Sequence, residues 1–229
     1  MFSSPKTLIL AFLGGITPSL LWLWFWLKED RKRPEPVGML AFVFLIGMAS
    51  VFFVLPVQKF LQANIANEAW QLIAFAGAEE IVKYIAAIVL VYQNYHLEEP
   101  IDWPIYLITA ALGFAALENT LFLLKPFSLD QTTVGLLTGH LRFLGSTLLH
   151  TVASAILGTA LGLSFHMDSG RKKLYLFGGL FLAIVLHTAF NFFIIRNDGN
   201  DFLKVFAFLW VVTIIVMLLF EKVRRMSTN

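Results

Sequence analysis

The stretch AWQLIAFAGAEEIVKYIAAIVLVY, residues 69–92, is apolar and long enough to cross a bilayer, yet it carries Glu79, Glu80 and Lys83 at its middle. A charge at the centre of a membrane helix costs about 3 kcal/mol on insertion scales, so such residues turn toward a protein interior or a wet cavity and work there. Glu79 and Lys83 stand at i and i+4 on one face, and Glu80 points about 100° away. One carboxylate of the two, Glu79 by preference, has the surroundings of a general base for a water molecule, with Lys83 balancing its charge. The plainer reading is a buried Glu–Lys pair that only fixes packing. It needs one carboxylate, and here there are two.

The rest of the chain has the same character. Of its 229 residues 58% are hydrophobic and 14% charged, with a mean hydropathy of +0.76, against about 45–50% and 25% in soluble domains. Apolar runs at 7–27, 37–57, 104–124, 141–165, 174–195 and 202–220 join the one at 69–92. The fold class expected is therefore all-α: a polytopic bundle of about seven transmembrane helices, one domain over 1–229 with a core near 69–195. Proline marks the ends of several runs: Pro34 and Pro36 precede the second, Pro104 opens the fourth and Pro126 is expected to stop it. The piece 127–140 is too polar to span and reads as interfacial or re-entrant. The first run lacks a small-residue cleavage site and reads as a retained helix.

Lysine and arginine outside the spans divide ten against five between the two sides. The positive-inside rule then places the N-terminus outside and the C-terminus in the cytoplasm. The net charge of +2 sits at helix ends, with no stripe suited to nucleic acid, and the absence of cysteine removes disulfides and thiolate chemistry.

On that topology the buried polar residues converge in depth. At 1.5 Å per residue Glu79 lies roughly 15 Å, His150 roughly 14 Å, His187 roughly 12 Å and Glu118 roughly 9 Å from the outer end of its helix. Each helix presents one polar face: Phe114 with Glu118, His187 with Asn191, and His150 with Ser154 and Gly158. The histidines suit three jobs: metal ligands, proton shuttles, or donors to an oxyanion. His150 and His187 with Glu79 or Glu118, Glu79 by preference, would form a His/His/carboxylate set of the kind that holds zinc with an open position, although no local ligand spacing supports it. Asn191 suits an amide donor to a developing negative oxygen, or packing glue between helices. Arg142, at the outer mouth of the fifth helix, would touch substrate or Glu118, or anchor at the interface. His96, His140 and His166 fall in loops or at helix ends.

There is no His-Glu-x-x-His and no Gly-x-Ser-Gly, and Asp30, Asp102, Asp130, Asp168, Asp198 and Asp201 all fall outside the expected spans. Glutamate and histidine acting on water remain. An ion-coupled transporter would also use such residues, but the two halves show no repeat and no paired Gly/Pro-broken helices. A catalytically dead scaffold of the same fold is the third reading.

Four motifs in order resemble the PrsW family of bacterial intramembrane proteases, distant relatives of the CAAX-processing and bacteriocin-immunity membrane proteases: Glu79-Glu80-x-x-Lys83, Phe114-x-x-x-Glu118-Asn119, His150, and His187-x-x-x-Asn191. The resemblance covers about residues 75–195. It implies a plasma-membrane endopeptidase, often called a metalloprotease, that cuts a single-pass protein near its extracytoplasmic face, as the family's namesake cuts an anti-sigma factor. In the CAAX-type relatives the second motif ends in His where this chain has Glu118, so His150 would supply that imidazole.

Overall fold

The computed structural model describes residues 4–28, 34–94, 97–129, 131–196 and 202–227. His96, Asp30, Asp130, Asp198 and Asp201, named above, lie outside the described residues, as do Arg31, Lys32 and Arg33 of the charge count. Every regular element among the described residues is helical: α1 (Pro5–Leu27), α2 (Val37–Asn64), α3 (Glu68–Asn94), α4 (Asp102–Ser128), α5 (Thr132–Arg142), a π turn (Phe143–Thr147), α6 (Leu148–Leu163), α7 (Ser169–Arg196) and α8 (Phe202–Met226). Because α5, the π turn and α6 follow one another without a break, they form a single rod, and the count of seven rods is the expected one.

Six of the rods are long and apolar enough to cross a membrane by length and composition. The seventh, α3, has the length but carries Glu79, Glu80 and Lys83 in its middle, so composition alone passes over the helix that matters most. Its charges do not face lipid: Glu79 is 6%, Glu80 1% and Lys83 0% exposed.

The centre of the bundle is α4, buried from Pro104 to Ala116 without interruption. A helix that is apolar on all sides belongs in the interior, and α4 packs against α1, α2, α3 and α6. Between membrane helices, where apolar burial drives little, small residues gain contact by letting backbones approach. At the α2–α4 crossing Gly47 lies against the carbonyl of Ala110 and Gly113 against that of Phe44, so a β-carbon at either would overlap backbone. Gly158 of α6 meets Pro104 in the same way, which accounts for the small-residue stripe below His150.

The two ends of α4 order the termini. The Thr7 hydroxyl, near the start of α1, donates to the Phe127 carbonyl at 3.5 Å, while Ser227, past the end of α8, accepts the Ile101 N–H at 3.0 Å. The described ends of the chain therefore lie at opposite ends of the bundle.

Three boundaries differ from expectation. Pro126 does not stop α4, which continues to Ser128; the proline forfeits its own N–H bond, and the next donors keep the turn helical, the Leu129 N–H reaching the Lys125 carbonyl at 3.2 Å. Likewise α2 runs through Pro56 to Asn64. The segment 127–140 is not a separate re-entrant piece: from Thr132 it is helix, joined to α6 through the π turn. Polar Thr132, Thr133, Thr138 and His140 leave it helical because Leu136, Leu137 and Leu141 maintain an apolar side and no proline intervenes. His140 and His166 are exposed, as expected.

Candidate active site

Four rods bring their polar faces to one place. Glu79, Glu80 and Lys83 come from α3, Glu118 from α4, Arg142, Ser146 and His150 from the rod with the π turn, and His187 and Asn191 from α7. They surround a cavity of about 830 Å³ whose remaining walls, Gln58 apart, are apolar, among them Phe75, Phe114, Phe122 and Phe190. Glu79, Glu118, His150, His187 and Asn191 line it, whereas Glu80 and Lys83 stand behind that lining. The seven residues singled out by sequence thus split into five that a ligand would meet and two that support them.

The supporting pair orders both histidines. Lys83 Nζ donates to Glu80 Oε1 at 2.6 Å and to His150 Nδ1 at 3.0 Å. An ammonium has only donors, so His150 Nδ1 accepts and the ring proton sits on Nε2, 3.2 Å from Glu118 Oε2. On the other side His187 Nδ1 donates to Glu80 Oε1 at 2.6 Å, which turns its Nε2 toward the cavity. The two imidazoles meet edge to face, with centroids 5.1 Å apart. Lys83 was expected to balance Glu79 one turn away; it pairs with Glu80 instead. The i+3 neighbour is equally within reach on a helix, and the second contact to His150 draws the ammonium to that side.

Glu118 is held by a second network. Its Oε2 takes the Arg142 guanidinium and lies 3.4 Å from Ser146 Oγ. Arg142 Nε donates to Asn119 Oδ1 at 2.6 Å, and Asn119 Nδ2 donates to Thr147 Oγ1 at 2.8 Å. The contact of Arg142 with Glu118 that sequence left open is made, and Arg142 also lines the cavity. The π turn separates Arg142 from His150, and such turns recur at functional sites; Arg142, Ser146 and His150 all reach the cavity across it. Sequence reasoning missed Ser146 and Thr147, although 142, 146 and 150 have the spacing of one helical face. It also missed Gln58 of α2, whose amide donates to Glu79 Oε1 at 2.8 Å.

Glu79 itself is left half satisfied. Its Oε2 is buried without a hydrogen-bond partner and lies 3.6 Å from His187 Nε2. A buried, unpaired carboxylate oxygen costs on the order of 1–3 kcal/mol or more, and native structures keep such atoms where function uses them. Two fixed cations, Lys83 and Arg142, face three carboxylates, Glu79, Glu80 and Glu118, which leaves one negative charge to be met by a proton or a bound cation.

The residues present also fit a divalent metal. One donor atom each from Glu79, His150 and His187 lies within 4.8 Å of the others, and the vacant Glu79 Oε2 and the cavity-facing His187 Nε2 are two of the needed lone pairs. Glu80 on the far nitrogen of His187 is the carboxylate–histidine support that metal ligands characteristically have. His150 completes the set when its Nε2 gives up the proton it now turns to Glu118.

Residues 35–220, which include every element of this site, match the profile of the PrsW family intramembrane metalloproteases. The chain belongs to the PrsW family. It is similar to Protease PrsW of Geobacillus kaustophilus, 28% identical over 81% of this chain and 80% of that protein. It is also similar to Protease PrsW of Bacillus subtilis, 28% identical over 86% and 89%, and to that of Clostridioides difficile, 30% identical over 79% and 77%. No solved structure matches the chain. As a PrsW-family member it is a protease and a multi-pass membrane protein, with a protein substrate in the membrane. That membership removes the transporter reading.

Proposed function

We propose that the cavity hydrolyses a peptide bond of a membrane-spanning substrate with Glu79 as general base. The observation that carries this is the unpartnered Glu79 Oε2, aimed into a cavity between two oriented imidazoles. A carboxylate so placed takes a proton from water, and the hydroxyl adds to the scissile carbonyl carbon. His187, protonated at both nitrogens and balanced by Glu80, donates from Nε2 to the oxygen that gains charge, beside the Asn191 amide. The proton held on Glu79 then passes to the departing amine, and the peptide C–N bond breaks. His150, fixed between Lys83 and Glu118, assists Glu79 by holding the water from the opposite side. Should zinc occupy the Glu79, His150 and His187 set, it would polarise the water and the carbonyl.

The substrate is a single-pass protein, and an anti-sigma factor is the specific partner this reading favours. A helical segment keeps its carbonyls hydrogen-bonded, so the substrate unwinds before it is cut, and the phenylalanine-rich walls suit an extended apolar stretch. The excess of Lys and Arg places the N-terminus outside and the C-terminus in the cytoplasm, which puts the cut in the extracytoplasmic half of the membrane. The catalytic core is the part between about residues 69 and 195.

Elemental mass spectrometry on active protein, with cleavage of a single-pass substrate measured before and after chelation, tests the chemistry. About one zinc per chain, lost together with activity in His187→Ala, assigns water polarisation to the metal. Full activity after chelation assigns it to Glu79 and His150. A protein that cleaves no membrane substrate in either state contradicts the proposal.

A further inference from the structure

Glu79 has two oxygens with different surroundings. Oε1 accepts the Gln58 amide at 2.8 Å, and Oε2 has no partner and faces His187 and the cavity. Gln58 comes from α2, which supplies no other polar side chain to the cavity, and it is half-buried on the cavity wall. A carboxylate turns about its last side-chain torsion with little resistance. Without a donor on one oxygen nothing would fix which oxygen meets the water.

We propose that Gln58 is a positioning residue for Glu79: by holding Oε1 it sets the plane of the carboxylate and reserves Oε2 for the reacting water. The inference rests on Glu79 being the base, and it adds α2 to the machinery that the family motifs place on α3, α4, α6 and α7. The contact is an N–H donated to a carboxylate, stronger than a bond between neutral groups, and it crosses between two helices, so it also fixes Glu79 relative to the α2 wall of the substrate cavity. An orientation error near 1 Å costs about a hundredfold in rate; losing one of several restraints on Glu79 is expected to lower kcat about ten- to a hundredfold.

The test is Gln58→Met, which keeps length and volume and removes the donor, measured with a spanning peptide in liposomes. The expected result is that kcat falls by that factor while KM stays within about twofold and the protein remains folded at the assay temperature. In a Glu79→Asp background, whose shorter carboxylate no longer reaches Gln58, the same substitution is expected to cost nothing further. A rise in KM at constant kcat would make Gln58 a substrate contact and overturn the proposal, as would wild-type kcat in Gln58→Met or full additivity with Glu79→Asp. If Glu79→Gln cleaves normally, the base assignment falls and the positioning role with it; if Glu79→Gln is dead and Gln58→Met is normal, only the positioning role falls.

Discussion

Glu79→Gln abolishes peptide cleavage and leaves the bundle folded. The substitution keeps shape and retains an acceptor for Gln58, whose bond to Oε1 is undisturbed if the new amide turns its oxygen that way. It takes away the lone pair at the Oε2 position that accepts a proton from water. General-base catalysis contributes about a hundred- to ten-thousandfold, so the variant is expected to fall by about that factor, to the floor of a membrane-protein assay. Stability is expected to hold or rise slightly, because a buried carboxylate is exchanged for a neutral amide of the same shape. Cleavage assays paired with thermal unfolding in detergent check both halves: loss of activity with loss of fold would not support the assignment.

The second large effect is on stability. Lys83 is fully buried, and its Nζ is bound to Glu80 and His150, so Lys83→Met leaves the Glu80 carboxylate inside the bundle with only His187 as its partner. Breaking a buried pair by removing one member costs about 3–5 kcal/mol, because the other charge is stranded. A clear drop in melting temperature is expected, together with lost activity as His150 loses the donor that sets its tautomer. Removing the stranded charge is expected to reverse the first effect and not the second. Glu80→Gln added to Lys83→Met keeps an acceptor for His187 Nδ1 and carries no charge, so most of the stability returns while cleavage does not. A Lys83→Met protein as stable as wild type would mean that Glu80 is neutral in the variant, or solvated despite its 1% exposure.

Much of this was legible in sequence because membrane burial simplifies the code. Where an apolar run is interrupted by Glu79, Glu80 and Lys83, lipid excludes every placement except inward, and depth counting alone put Glu79, Glu118, His150 and His187 at one level. What depth and helical face cannot give is the partner across an interface. Lys83 could be placed near both glutamates, but its choice of Glu80 follows from His150, a residue far away in sequence. Gln58 was invisible for a related reason: one amide near the end of an apolar helix has no periodicity, and its role appears only when α2 is set against α3. Helix ends were the other weakness. Pro126 reads as a stop and the second run as ending at residue 57, yet α4 and α2 continue past Pro126 and Pro56, each of which removes only its own N–H from the helix ladder.

The most direct test of a buried hydrolytic site is where it cuts and what atom it adds. A single-pass peptide reconstituted in liposomes with the protein in H2¹⁸O is analysed by mass spectrometry of both products. The account predicts one scissile region in the extracytoplasmic half of the span, at the depth of Glu79, with one ¹⁸O in the new carboxyl terminus and no product from Glu79→Gln. Cuts confined to the aqueous flanks, or the same products from Glu79→Gln, would contradict it.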